Sequence, residues 1–261
     1  MNTDVPNILW RAVCNMTVFM WEIIVPPLFL ALILQLCSQS IRRSCGKLLG
    51  HQVFIYLTAP GVVVHELSHA LFCLFFGHKI TEMKLFSPAE DGVLGYVVHS
   101  YDPKNYYQKI GLFFIGTAPI WGGIGFIFLV SKILLPPEML PFSKNAADNM
   151  FAFFRGFIFF RQWASWHFYL WLYVVLTIGS HITLSRPDLA GAAHGFFVMC
   201  GIVFLVFVCL GWSGEWEMLF IENMKSFLMG QLVVFATIFC MLFLLSCILK
   251  LISVQPNGEG D

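Results

Sequence analysis

Long apolar stretches alternate with short polar ones along most of the chain, and about six of them approach the roughly 20 residues a helix needs to cross a bilayer. They run from about 16 to 37, 52 to 76, 110 to 135, 166 to 182, 189 to 210 and 228 to 252. Pro26-Pro27 is expected to kink the first, since proline removes a donor from the helical ladder. A basic connection with Arg42, Arg43 and Lys47 follows it. Gly77 and His78 end the second stretch, Pro136-Pro137 stop the third, and Ser185-Arg186-Pro187-Asp188 separates the fourth from the fifth.

Between the second and third stretches the period changes. Ile80–Phe86 and Val93–Ser100 are β-branched and alternating, and Ser-Pro-Ala-Glu-Asp-Gly lies between them. That pattern predicts a β-hairpin over about 79–102. Phe151–Trp166 is aromatic but interrupted by Arg155 and Arg161, as in an interfacial helix whose long basic side chains reach the headgroups. Trp163, Trp166 and Trp171 read as belt residues. Trp212–Lys225 reads as a polar connection in which Glu215, Glu217 and Glu222 are solvated. No internal repeat or low-complexity tract is visible. The expected fold is all-α and polytopic: one membrane domain over 1–261, with about six transmembrane helices and a short β-hairpin after the second.

Composition supports this reading. Hydrophobic residues are 58% of the chain and charged residues 11%, against about 25% charged in soluble domains. A formal net charge of zero offers nothing to nucleic acid. The N-terminal region, with Asp4 and Arg11 before the apolar run, reads as a retained first span rather than a cleaved signal. The basic residues Arg42, Arg43 and Lys47 suggest that this span ends in the cytoplasm. The 8 cysteines sit mostly in apolar runs and form no CxxC pair, so they behave as small hydrophobes.

The second stretch holds the chemistry. Its only ionisable residues are His65, Glu66 and His69, in the sequence His65-Glu66-Leu67-Ser68-His69. Histidines at i and i+4 share one helix face and can direct two imidazoles at one tetrahedral cation. Glu66 stands beside such a metal without having to ligate it, and is placed to take a proton from water. Zinc brings the pKa of that water toward about 7. An ionisable residue at mid-span costs on the order of 3 kcal/mol, so three within five residues call for a shared partner. The competing reading is a histidine pair bonded to neighbouring helices in a transporter or a structural bundle.

The surroundings, Gly61-Val-Val-Val-His65-Glu-Leu-Ser-His69-Ala-Leu-Phe-Cys-Leu-Phe-Phe-Gly77, resemble the site-2 protease family of intramembrane zinc metalloproteases. The resemblance covers about 60–121, and more loosely 185–195. It implies a motif helix within the membrane followed by a membrane-associated hairpin, the place that 79–102 occupies here. It also implies a third zinc ligand, an Asp from a later transmembrane helix, usually within Asp-Gly. This chain has no such Asp-Gly in a later apolar stretch, and Asp91-Gly92 falls in the hairpin turn. Asp188, in Ser185-Arg-Pro-Asp188-Leu, is the best substitute, and a similar Ser-x-x-Asp-Leu element occurs in some small bacterial relatives of the family. The same residues also fit a capping box, with Asp188 serving only the helix start. His181 and His194 are rival ligands near the same break.

Gly116-Thr-Ala-Pro119 is similar to the Gly/Pro-rich element with which the family orients an extended substrate, although the Asn that usually follows the Pro is absent. Small residues there also permit close helix packing. The strand Gly95-Tyr96-Val97-Val98-His99 could pair with an unwound substrate by strand addition. The expected function is therefore an intramembrane zinc metalloprotease, with Glu66 as general base, Zn2+ on His65, His69 and Asp188, and substrate contacts from Gly95, Tyr96, Val97 and Pro119. Its expected partners are the lipid bilayer, membrane-protein substrates and other membrane proteins that supply selectivity. Its expected place is a bacterial inner membrane. A non-proteolytic scaffold that keeps the zinc site, or a proton or metal transporter, is the alternative.

Overall fold

The structure is a computed structural model that describes residues 5–88, 93–136, 165–211 and 236–252. Helix α1 (Val5–Phe19) passes through one π-helical turn (Met20–Ile24) into α2 (Val25–Leu49). Pro26 and Pro27 explain the turn: two consecutive residues without N–H donors remove two helical bonds, and the ladder widens just upstream. The helical run is therefore longer at both ends than the apolar stretch 16–37. Arg42, Arg43 and Lys47 lie on the last turns of α2, not on a connection.

The second and third apolar stretches are each broken once. α3 (His51–Leu57) and α4 (Ala59–Phe75) meet at 56°, and α5 (Tyr106–Gly116) and α6 (Ala118–Leu134) meet at 65°. Both breaks are written in the same three residues, Thr58-Ala59-Pro60 and Thr117-Ala118-Pro119. The threonines take nearly the same backbone conformation, φ −98° and ψ 5° at Thr58, φ −102° and ψ 6° at Thr117. Each hydroxyl donates to the carbonyl four residues back, Phe54 at 3.0 Å and Phe113 at 2.8 Å. Proline then starts the next helix, in the first turn where its missing donor costs least.

The fourth stretch forms α7 (Trp166–Gly179), only 14 residues long, and the fifth forms α8 (Arg186–Gly211). The last forms α9 (Ala236–Ile252), whose expected beginning at 228–235 lies outside the described residues. So do the expected interfacial helix up to 164 and the acidic connection at 212–225. Among the described residues, α2 and α8 are each long and apolar enough to cross a membrane, and the two bent pairs bring the number to four. Of the expectation of about six spans, length and composition support two to four among the described residues. Two of the six are bent at a Thr-Ala-Pro break, and the fourth is a helix of 14 residues. Large apolar side chains such as Phe197 and Leu251, each 79% exposed, stand outward from these helices, as suits a lipid-facing surface.

The hairpin forms as expected. β1 (Lys79–Lys84) pairs antiparallel with β2 (Tyr96–Ser100), from Lys79 opposite Ser100 to Lys84 opposite Tyr96. A bulge between Ile80 and Glu82 leaves Thr81 unpaired, and its hydroxyl donates to the Val98 carbonyl at 3.1 Å. The strands are shorter than the alternating segments, though Ser87 N–H still donates to the Leu94 carbonyl at 2.7 Å beyond them.

The main core lies between α2, α4, α6, α7 and α9, around Leu34, Ile120, Trp171, Val175, Ile178 and Leu242. The Trp171 indole donates to the Ser131 hydroxyl at 2.9 Å, which satisfies a buried donor and ties α7 to α6. A second cluster, Ile24, Phe113, Ala192 and Met199, seals α5 against α8.

Candidate metal centre

His65 and His69 project from the middle of α4, and Asp188 from the first turn of α8. These residues come together although 119 positions separate His69 from Asp188. The two histidine Nε2 atoms are 3.3 Å apart. Asp188 Oδ1 lies 3.4 Å from His69 Nε2, and Asp188 Oδ2 lies 4.0 Å from His65 Nε2. A tetrahedral ion with bonds of about 2.0–2.1 Å has ligand–ligand edges of about 3.3–3.4 Å. The His65–His69 and His69–Asp188 Oδ1 distances match that figure, whereas the carboxylate oxygen nearest His65 is the other one, and with one ligand atom from each residue the three lie within 4.8 Å of one another.

The histidine tautomers follow from their partners. His65 Nδ1 is 2.8 Å from the His181 carbonyl oxygen, and His69 Nδ1 is 2.8 Å from the Ile115 carbonyl oxygen. A carbonyl only accepts, so both Nδ1 atoms carry the proton, and in the neutral imidazoles both Nε2 atoms present bare lone pairs. Two lone pairs at 3.3 Å, beside a carboxylate, repel unless a cation lies between them. This donor set fits a divalent metal that takes imidazole and carboxylate ligands, and the backbone carbonyls orient the ligands as outer partners do in metal sites.

Both carbonyls are free for this task because of local sequence. The residue four beyond Ile115 is Pro119, which has no N–H to give it. The His181 carbonyl stands just past the end of α7, where helical carbonyls lose their donors. Glycines then bring the elements close enough. A Cβ on Gly61 would lie 2.6 Å from His181 Nδ1, and one on Gly116 would lie 2.6 Å from Ala192 N. Only hydrogen fits at either place.

Asp188 is both ligand candidate and cap. Its Oδ2 accepts from Ser185 N–H at 2.7 Å, and its own N–H donates to Ser185 Oγ at 3.3 Å. The reciprocal pair is a capping box. It holds the carboxylate while Oδ1 remains turned toward His69, so the two readings of this residue coexist.

Glu66 is buried, 8% exposed, and its carboxylate has no hydrogen-bond partner among the described residues. It opens on a cavity of about 440 Å³ shared with His65, His69 and Asp188. Gly95, Tyr96 and Val97 line the same cavity from the hairpin. Gly95 packs so closely that a Cβ there would lie 2.7 Å from Glu66 Cγ. Pro119 is buried at the start of α6 and does not line the cavity. Its contribution to the site is the helical N–H it withholds from the Ile115 carbonyl.

The rival ligands stand apart from the cluster. His181 Nδ1 contacts the Thr177 carbonyl at 3.0 Å and Ser180 Oγ at 3.1 Å, and its backbone rather than its ring serves His65. His194 Nδ1 donates to the Ala190 carbonyl on its own helix at 2.8 Å. Sequence reasoning missed one feature of the wall. His99, at the end of β2, lines the cavity, and its Nδ1 lies 3.0 Å from Nδ1 of buried His78. His78 Nε2 donates to the Gln108 carbonyl at 2.8 Å, so a neutral His78 receives its second hydrogen bond from His99. Burial, reinforced by His78, pushes His99 below its ordinary value of 6.5. Alternation placed His99 on the same strand face as Gly95 and Val97, and that was the available signal.

No family model, curated protein or solved structure matches this chain. The functional reading rests on the geometry above and on the motif.

Proposed function

We propose that this chain is an intramembrane zinc metalloprotease that hydrolyses peptide bonds of membrane-protein substrates. The observation that carries the proposal is the convergence of two bare histidine Nε2 atoms and a carboxylate beside an unpartnered glutamate in one cavity. The resemblance of the motif region to the site-2 protease family supports the same reaction. The two to four helices long and apolar enough to cross a membrane suit a multi-pass protein. The Ser185-x-x-Asp188-Leu189 element, shared with small bacterial relatives of that family, favours a bacterial inner membrane.

His65, His69 and Asp188 would hold the ion. Bound zinc supplies Lewis acidity, which brings water to hydroxide near neutral pH and polarises a carbonyl. Glu66 takes a proton from the water as its oxygen bonds the substrate carbonyl carbon. The same carboxyl then gives that proton to the leaving nitrogen as the C–N bond breaks. The hairpin face at Gly95–Val97 lies beside this carboxylate and offers main-chain groups to an extended substrate. Other membrane proteins would supply selectivity.

Glu66→Gln provides the test. It should leave one zinc per chain while cleavage of a co-expressed single-span substrate falls by at least 10²-fold or so. Retained cleavage would overturn the assignment of Glu66. Wild-type protein that binds zinc yet cleaves no membrane substrate would instead indicate a zinc-keeping scaffold.

A further inference from the structure

Gly191 stands three residues beyond Asp188 on α8, about 4.5 Å along the axis and on the same helix stripe. Its neighbours on that stripe are packed tight. Ala192 is buried, and a Cβ on Gly195 would lie 2.8 Å from the Lys109 carbonyl oxygen. Gly191 differs: it lines the cavity, and a Cβ there would meet nothing within 4 Å. Gly46, Gly50, Gly125 and Gly201 have similar open space, but none of them lines the cavity. The void over Gly191 is therefore part of the space beside the metal centre.

The walls facing this void are apolar. Leu112 and Ile115 of α5, Val97 of β2 and Pro187 line the same cavity as Gly191. The whole cavity, about 440 Å³, is near the lower end of the range for ligand pockets and too small for an intact helical segment with its side chains. It suits a short extended stretch with one large side chain turned inward.

We propose that Gly191 opens a side-chain pocket beside the metal centre that selects a large apolar residue flanking the bond to be cleaved. The inference rests on the metalloprotease reading and names its substrate class: peptides with a bulky apolar residue at that position. The first carbon of a side chain added at 191 meets no atom within 4 Å, so the substitution starts from open space within the cavity.

Cobalt-loaded protein and two probes test this without requiring turnover. N-acetyl-glycine hydroxamate and N-acetyl-phenylalanine hydroxamate share the chelating group and differ in the side chain. Binding is read from the cobalt absorption band. Wild-type protein should prefer the phenylalanine probe by about tenfold or more. Gly191→Leu should cut affinity for that probe by at least about tenfold and leave the glycine probe within about twofold. Gly201→Leu, on the same helix but away from the cavity, should keep the wild-type preference. Equal losses for both probes in Gly191→Leu would overturn the pocket, as would no change in either. Failure of wild-type protein to take up cobalt would overturn the metal reading, and the pocket with it. Selective binding without cleavage of any membrane substrate would leave the pocket standing and overturn proteolysis alone.

Discussion

Gly116→Ala should dismantle the metal centre from outside its ligand set. The added Cβ would lie 2.6 Å from Ala192 N and closer still to the Asp188 carbonyl oxygen. Ordinary contact begins at 3.4 Å, so α8 must retreat from α5 by about 1 Å. The clashing atoms are backbone, and no flexible side chain can absorb the movement. Overpacking of this kind costs about 1–3 kcal/mol. Asp188 moves with its helix. Its Oδ1, now 3.4 Å from His69 Nε2, would pass about 4 Å and leave the tetrahedral edge. Zinc affinity should fall about 10–100-fold, the usual scale when a supporting element of a site is disturbed. The assay is competition against a chromophoric chelator, with Gly125→Ala as the control, since a Cβ there meets nothing. Unchanged zinc affinity in a folded Gly116→Ala protein would refute the argument that helix approach sets the Asp188 position.

The remaining expectations concern the same elements. Asp188→Asn keeps an oxygen for the Ser185 amide but loses the anion, so zinc binding should drop by more than tenfold or so while thermal stability of the apo-protein changes little. Ser185→Ala should do the reverse, costing about 1 kcal/mol of stability and less than tenfold or so in zinc affinity, as read by melting and metal competition. Chelation by 1,10-phenanthroline should lower the melting temperature of wild-type protein but not of His65→Ala, whose site no longer has two Nε2 atoms to hold a metal. His99 lies below its ordinary 6.5 in the folded chain, so the unfolded form binds its proton first. Its contribution is present above about pH 6.5 and is lost as pH falls through the lowered value. Hydrogen exchange of the β1–β2 amides, corrected for intrinsic rates, should therefore accelerate on acidification. His99→Gln should flatten that dependence.

What could be read in advance depended on whether the determining contacts were local. His65, Glu66 and His69 were legible because one turn of one helix fixes their spacing, and the hairpin because alternation over 80–100 has a period of two. Asp188 was readable as a ligand beside His69 only through the resemblance, since its approach depends on Gly116 admitting the backbone of a distant helix. The apolar windows marked where helices lie, yet not their breaks. Thr58 and Thr117 bend continuous hydrophobic runs that an averaging window passes over, even with Pro60 and Pro119 in view. Pro119 was assigned to substrate handling on resemblance, whereas the structure shows its missing N–H freeing the carbonyl that orients His69. The His78–His99 pair escaped because alternation gives His99 a strand face but not its partner, and the β1–β2 register, with His99 opposite Ile80, brings it to His78.

Three helices around the metal centre are short, and this bears on the lipid as well as on the protein. α4 and α6 have 17 residues each and α7 has 14, which correspond to roughly 26 and 21 Å of rise. A hydrocarbon core is about 30 Å thick. If these helices serve as crossings, thinning of the bilayer beside them would make up the mismatch, at a cost of fractions of a kcal/mol per Å. A thinned annulus shortens the distance from the aqueous phase to His65 and Glu66. It also strains the helical ends of any longer single-span neighbour that drifts into it. The bilayer itself would then help deliver both reactants of a hydrolysis, water and a partly unwound segment, to the same depth.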